Sequence, residues 1–174
     1  MFTCPANSDG DSMNDAERLE KAIELVVMLY RGKLDKSGNP AVLHPLSVMD
    51  KFPPSEHRLR TIAVLHDVLE DFGPSAEFID LFSRPAEPEL ILTLGVLTKV
   101  VGKKYGDYIR EIGESGRLDA IRVKLADLEH NLSRASGIPD EQERNRLVQR
   151  WTKARTYLLE RKEKFDGDAG KGLY

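Results

Sequence analysis

A histidine with a carboxylate beside it and two more carboxylates a turn on are the residues whose types and spacing could do chemistry in this chain. His66 and Asp67 open the run His66-Asp67-Val68-Leu69-Glu70-Asp71 inside an otherwise apolar segment. An imidazole next to a carboxylate suits a borderline divalent cation. Two further carboxylates one helical turn on suit acid–base work on a water molecule. On a continuous helix His66 stacks over Glu70 and Asp67 over Asp71, each pair four residues apart. The competing reading is a helix end with solvated acids and one satisfied histidine, and the dipeptide by itself does not exclude it.

A third ionisable position is harder to explain away. Asp127 lies in Val-Lys-Leu-Ala-Asp-Leu-Glu-His-Asn-Leu (123–132), a strongly apolar helical pattern. Lys124 precedes it by three and Asn131 follows it by four, so the three share a helix face. A carboxylate in such a place is costly to bury unless it is paired or binds a metal. A buried Asp127–Lys124 pair is the alternative. His44, in Leu43-His44-Pro45, reads alone as a capping or core histidine.

These residues need helices to position them. Leu19, Ala22, Ile23, Val26, Val27 and Tyr30 recur at spacings of three and four after Asn14 and Asp15, candidate caps, and Gly32 ends that helix. Lys33 to Pro40 is a polar loop with the turn signal Ser-Gly-Asn-Pro. His44-Pro45 opens a short helix. Pro53-Pro54-Ser55 breaks the chain and caps a third helix that carries Leu59 through Leu69 and stops at Gly73-Pro74. Smaller helices are expected around Ala76–Phe82 and Pro88–Thr98, and another from about Tyr105. A long one is expected over Arg117–Arg134 and a last one beyond Pro139-Asp140. No alternating run competes as a strand. The expectation is one all-α domain over 14–165, with a flexible leader at 1–13 and a flexible tail at 166–174.

Composition narrows the classes. The 174 residues fit one domain with a real core, and 40% hydrophobic with 32% charged is ordinary for a globular cytoplasmic protein. A net charge of −3 draws neither nucleic acid nor an anionic membrane to the surface as a whole. Cys4, the only cysteine, excludes an internal disulfide and any multi-cysteine zinc site. No apolar run has the length of a signal peptide core or a membrane span. A cytoplasmic protein without nucleic-acid or membrane partners is expected, its oligomeric state open.

The order Ser-Gly-Asn-Pro-Ala-Val-Leu-His-Pro, His-Asp-Val-Leu-Glu-Asp, Lys-Leu-Ala-Asp-Leu-Glu-His-Asn resembles the HD-superfamily phosphohydrolases. More narrowly it resembles the hydrolase domain of the RelA/SpoT family and its small stand-alone alarmone hydrolases, over about Asn14 to Leu159. The resemblance implies a single-domain HD-type bundle of about seven or eight helices, with no room for a synthetase domain. It implies one divalent metal, most often manganese, held by His44, His66, Asp67 and Asp127. Glu70 and Asp71 would position and activate the attacking water, and Asn131 would contact the nucleotide sugar. Arg146 would bind substrate phosphate, while Lys36 and Ser37 border the base and phosphate pocket. The implied reaction removes the 3′-pyrophosphate of guanosine tetra- or pentaphosphate, giving GDP or GTP plus pyrophosphate.

Four positions depart from the family pattern: Tyr30 for a histidine, Asp35 for an arginine that stacks on the base, Ala41 for a tyrosine, and Phe72 for a threonine. None is an implied metal ligand. Asp35 is the feature that favours a second enzyme reading, a phosphatase acting on an adenine alarmone or a phosphorylated dinucleotide. A non-catalytic nucleotide-binding module is the third, and the intact acidic pair argues against it.

Overall fold

A computed structural model describes residues 13–35, 37–82 and 87–169. The leader through 12, Lys36 and residues 170–174 lie outside the described residues. Nine α-helices and one 3-10 turn make up the described fold, with no strand beyond a single bridge between Leu34 and Pro40. Helix α1 (Asp15–Leu29) starts at a reciprocal cap. The Asn14 side chain accepts from the amides of Ala16 and Glu17, and Glu17 accepts from the Asn14 amide. The stripe Leu19, Ala22, Leu25 and Val26 is buried, and Tyr30 closes the helix. Gly32, at φ +74°, turns the chain where a side chain would be strained.

Helix α2 (Leu43–Met49) carries His44 in its first turn with Pro45 beside it. Helix α3 (His57–Leu65) is capped by the Glu56 backbone without a side-chain bond, so Ser55 does not serve as the expected cap. The expected continuous third helix is in fact two, because α3 ends at Leu65 and α4 (Val68–Asp71) begins after a break at His66 and Asp67. Both break residues keep right-handed helical backbone angles, and their side-chain ends meet at 3.1 Å, His66 Nε2 to Asp67 Oδ2. Counting that broken helix once gives eight, the upper figure expected from the sequence.

Beyond it come α5 (Ala76–Leu81), α6 (Pro88–Leu97), α7 (Tyr105–Glu114), α8 (Leu118–Ser133), a 3-10 turn (Ala135–Gly137) and α9 (Glu141–Ala169). Helix α8 is the central post. It packs against α2, α3, α6, α7 and α9, and its Ala120, Ile121, Val123 and Leu128 are fully buried. Helix α9 continues past the boundary expected at Phe165. No helix breaker intervenes before Gly167, Phe165 packs on the core, and Lys162 pairs with Asp166 at 2.7 Å. Among the described residues no helix is long and apolar enough to cross a membrane.

Helices α7 and α9 approach closely because residue 113 lacks a side chain. A Cβ on Gly113 would stand 2.6 Å from Tyr157 Cε1 and 3.0 Å from Arg161 Cγ. Gly113→Ala is therefore expected to destabilise the fold by about 1–3 kcal/mol, the usual range for overpacking. Calorimetry of the variant checks it; an unshifted melting midpoint would mean that the Tyr157 ring swings aside freely.

Candidate metal and substrate site

Three elements bring the expected ligands to one point: α2 supplies His44, the break supplies His66 and Asp67, and the middle of α8 supplies Asp127. His44 Nε2 lies 3.3 Å from His66 Nε2, 3.4 Å from Asp67 Oδ2 and 3.3 Å from Asp127 Oδ1. His66 Nε2 lies 3.1 Å from Asp67 Oδ2 and 3.8 Å from Asp127 Oδ1. His44, His66 and Asp127 form a mutual group of donors within 4.8 Å, and Asp67 adjoins it through both imidazoles.

The donor set fits a cation. With ligand bonds of about 2.1 Å, donor–donor edges are about 3.0 Å in an octahedron and about 3.4 Å in a tetrahedron, close to these spacings. The ring nitrogens on the far side are already engaged. His66 Nδ1 donates to the Ala63 carbonyl at 2.7 Å. His44 Nδ1 lies 2.8 Å from His130 Nδ1. Burial and the neighbouring His44 push the His130 pKa down to about 4, so at neutral pH it is an uncharged imidazole, and in the tautomer with its proton on Nε2 it accepts from His44 Nδ1. Both Nε2 atoms are thereby left to face the carboxylates, the tautomer a metal-binding imidazole needs.

The electrostatics also call for positive charge. Burial alone disfavours protonation of His66, but Asp67 and then Asp127 outweigh it and raise its pKa to about 10. His44 rises against its burial through Asp127 and Asp67. Burial pushes the carboxyl of Asp127 up, yet Lys124 and then the two histidines hold it well below the usual range. Asp67 is held low in the same way, chiefly by His66. Without a metal, protons supply what these carboxylates demand, so metal binding here displaces protons.

The expected Lys124 pairing is also present. Lys124 Nζ meets Asp127 Oδ2 at 2.7 Å, while Asn131 Nδ2 donates to Oδ1 at 2.6 Å. Pairing and ligation are not alternatives, because each uses a different oxygen.

Glu70 and Asp71 are exposed, as a solvated helix end would be, but each is held by a distant residue. Glu70 Oε2 accepts from the Lys99 amide at 3.1 Å, and Asp71 Oδ2 accepts from the Tyr30 hydroxyl at 2.6 Å. Burial and then this bond raise the Tyr30 pKa, which keeps Tyr30 a donor. Phe72 packs its edge on Tyr30, with ring centroids 4.8 Å apart.

A cavity of about 240 Å3 adjoins His44 and is lined by Ser37, Asn131, Arg134, Arg150 and Trp151. Ser37 Oγ donates to the Gly137 carbonyl at 3.3 Å. Arg146 is not part of this lining. It is exposed on α9 and spends its guanidinium on Glu143, one turn back, at 2.6 and 2.7 Å. Arg150, one turn further on, faces the cavity instead. Asp35 does not occupy a base-stacking position. It accepts from the Ser37 and Asn39 amides at 2.8 and 2.9 Å and pairs with Arg134 at 2.7 Å. An arginine thus reaches the cavity from the end of α8. His130, Arg134, Arg150 and Trp151 escaped the sequence reading. Only His130, three after Asp127 on the same helix face, left a local signal.

No family model matches the chain. It is 28% identical over 133 residues to a guanosine-3′,5′-bis(diphosphate) 3′-pyrophosphohydrolase of Borreliella burgdorferi, covering 68% of this chain and 19% of that protein. It is 31% identical over 139 residues to the GTP pyrophosphokinase rsh of Brucella melitensis biotype 1, covering 75% of this chain and 18% of that protein. The chain therefore spans about a fifth of the length of these relatives. A solved structure described as a metazoan ortholog of SpoT that hydrolyzes ppGpp matches with a TM-score of 0.63 and 17% identity. The match covers 94% of this chain and all of that one, and shows the same fold.

The His44–His130 contact makes a prediction. Removal of a partner that orients a ligand usually costs about 10–100-fold in metal affinity. Titration calorimetry with Mn2+ is expected to show that loss in His130→Ala, with the fold retained by circular dichroism. Equal affinity would mean that His44 orients itself without His130.

Proposed function

We propose that this chain, by sequence and fold a RelA/SpoT-type HD hydrolase domain, removes the 3′-pyrophosphate of guanosine tetra- and pentaphosphate. The observation that carries the reading is the facing set of two Nε2 atoms and two carboxylate oxygens beside a cavity with its own cations. His44, His66, Asp67 and Asp127 hold one divalent ion. Manganese is the ion that the family resemblance implies, and the two carboxylate donors suit it. When bound, the ion supplies a Lewis acid that polarises a phosphoryl oxygen and lowers the pKa of water.

The chain's own groups do the rest. Water attacks the phosphorus joined to the ribose 3′ oxygen, and one carboxylate of the Glu70–Asp71 pair takes its proton. The bond from that phosphorus to the 3′ oxygen breaks, and the 3′ oxygen takes up a proton from the carboxylic acid just formed or from solvent, leaving GDP or GTP with a free 3′ hydroxyl and pyrophosphate. Tyr30 and the Lys99 amide fix where the two carboxylates sit, which is worth more to proton transfer than their presence alone. Asn131, beside the ligand Asp127, meets the sugar. Ser37 and Arg150 take phosphate in place of the arginine expected at 146, since a guanidinium can bind phosphate through paired hydrogen bonds. Trp151 and Arg134 offer planar groups for the base, a role the Asp35 carboxylate does not fill.

Anion-exchange analysis of products, over guanine and adenine nucleotides with Mn2+ present, tests the reading. GDP and pyrophosphate from guanosine tetraphosphate are expected, and turnover confined to adenine or dinucleotide substrates would overturn it. Glu70→Gln and Asp71→Asn are expected to keep metal and nucleotide binding while slowing single-turnover hydrolysis by about 10²–10⁴-fold. Undiminished rates in both would reduce the pair to a solvated helix end. Arg150→Ala is expected to lower kcat/KM by about tenfold or more, and Arg146→Ala to leave it unchanged; the reverse pattern would restore Arg146 as the phosphate ligand.

A further inference from the structure

We infer that the substrate cavity continues past Arg150 into a second cavity between α7 and α9, which receives the 5′ phosphates of the nucleotide. This rests on the function proposed above. The second cavity is the larger, about 420 Å3. Tyr105, Ile109 and Tyr157 give it apolar walls, and Arg110, Arg150 and Lys153 give it positive charge.

Arg150 lines both cavities. Its guanidinium carbon stands 4.6 Å from the Tyr105 ring centroid, and its Nε is buried without a hydrogen-bond partner. Tyr105 packs towards Tyr108, whose ring lies 5.3 Å from the Lys124 ammonium that pairs with Asp127. Arg150 thus stands where the two cavities meet: His44 and Asn131 line the first, and Arg110 and Lys153 line the second. Along α9 the stripe Leu147, Arg150, Trp151, Ala154 and Tyr157 runs at helical spacing from the first cavity into the second.

Charge indicates what the second cavity takes. Arg110 shares Asp107 at 3.4 Å, but Arg150 and Lys153 form no ion pair with a carboxylate among the described residues. Cations beside apolar walls attract an anion more strongly than they would in open water. Guanosine tetra- and pentaphosphate carry phosphates at both ends of the ribose. Only the 3′ end can lie at the metal centre while it reacts. The 5′ end then needs positive charge elsewhere, and Arg150 opens onto it. A site built this way selects by the number of 5′ phosphates.

The test is steady-state kinetics on four guanosine 3′-diphosphates that carry a 5′ hydroxyl, monophosphate, diphosphate or triphosphate. Wild type is compared with Arg110→Ala/Lys153→Ala, whose side chains lie on exposed helix faces, and with the single variant Lys153→Gln should the double variant fold poorly. The double variant is expected to raise KM for the 5′-di- and triphosphate by about tenfold relative to KM for the 5′-hydroxyl compound, with a smaller effect from Lys153→Gln. The same change for all four substrates, or none for any, would overturn the extension and leave the proposed function standing. If wild type hydrolyses none of the four, the proposed function falls and the extension with it.

Discussion

Asp127 is a carboxylate buried in the middle of α8, the helix that touches α2, α3, α6, α7 and α9. A charge in that position survives only if its oxygens are occupied, and the surrounding fold supplies the occupants. Oδ2 goes to Lys124, whose ammonium lies 5.3 Å from the Tyr108 ring centroid, and the Tyr108 hydroxyl donates onward to the Leu97 carbonyl at the end of α6. Oδ1 goes to Asn131 on one side and to the two imidazoles on the other. Scaffold and candidate site are thus linked by an ion pair, hydrogen bonds and one cation–π contact. A change that disturbs the site's charge reaches the packing of α6 and α7 through two side chains.

The helical pattern is interrupted at His66 and Asp67, although the apolar spacing from Leu59 through Leu69 asks for one continuous stripe. Both residues keep right-handed helical backbone angles, and their side-chain ends meet at 3.1 Å beside His44. The Asp71 amide still bonds to the Asp67 carbonyl at 2.9 Å. The following turn is therefore kept, and Glu70 and Asp71 emerge at the surface. There, two distant bonds from Tyr30 and Lys99 hold them, so the departure at position 30 from histidine to tyrosine supplies a donor that stays protonated.

The cavity beside His44 is walled by the loop at Asp35 and by the helices α8 and α9. Asp35 ties its own loop through backbone amides and fixes Arg134, which makes it a builder of the cavity wall rather than a contact for the base. On α9, a shift of one turn separates Arg146, neutralised by Glu143, from Arg150, which stands at the meeting of two cavities. Gly113 lets α7 lie near enough to α9 for the second of them to be a bounded space.

Apolar spacing and capping residues made the helices legible in the sequence, because burial and backbone hydrogen bonding are local demands with a fixed period. Asn14 with Glu17, the Gly32 stop and the length of α8 follow from such rules. His66, Asp67 and Asp127 stood out because each sits in an apolar helical pattern, while His44 joined them only through the family resemblance. What the sequence did not determine is which side chains meet across helices. The His130 contact with His44, the Tyr30 bond to Asp71 and the placement of Arg150, not Arg146, on the cavity wall each depend on the relative rotation of two helices. That rotation is set by packing over the whole core, and no local pattern of residues encodes it.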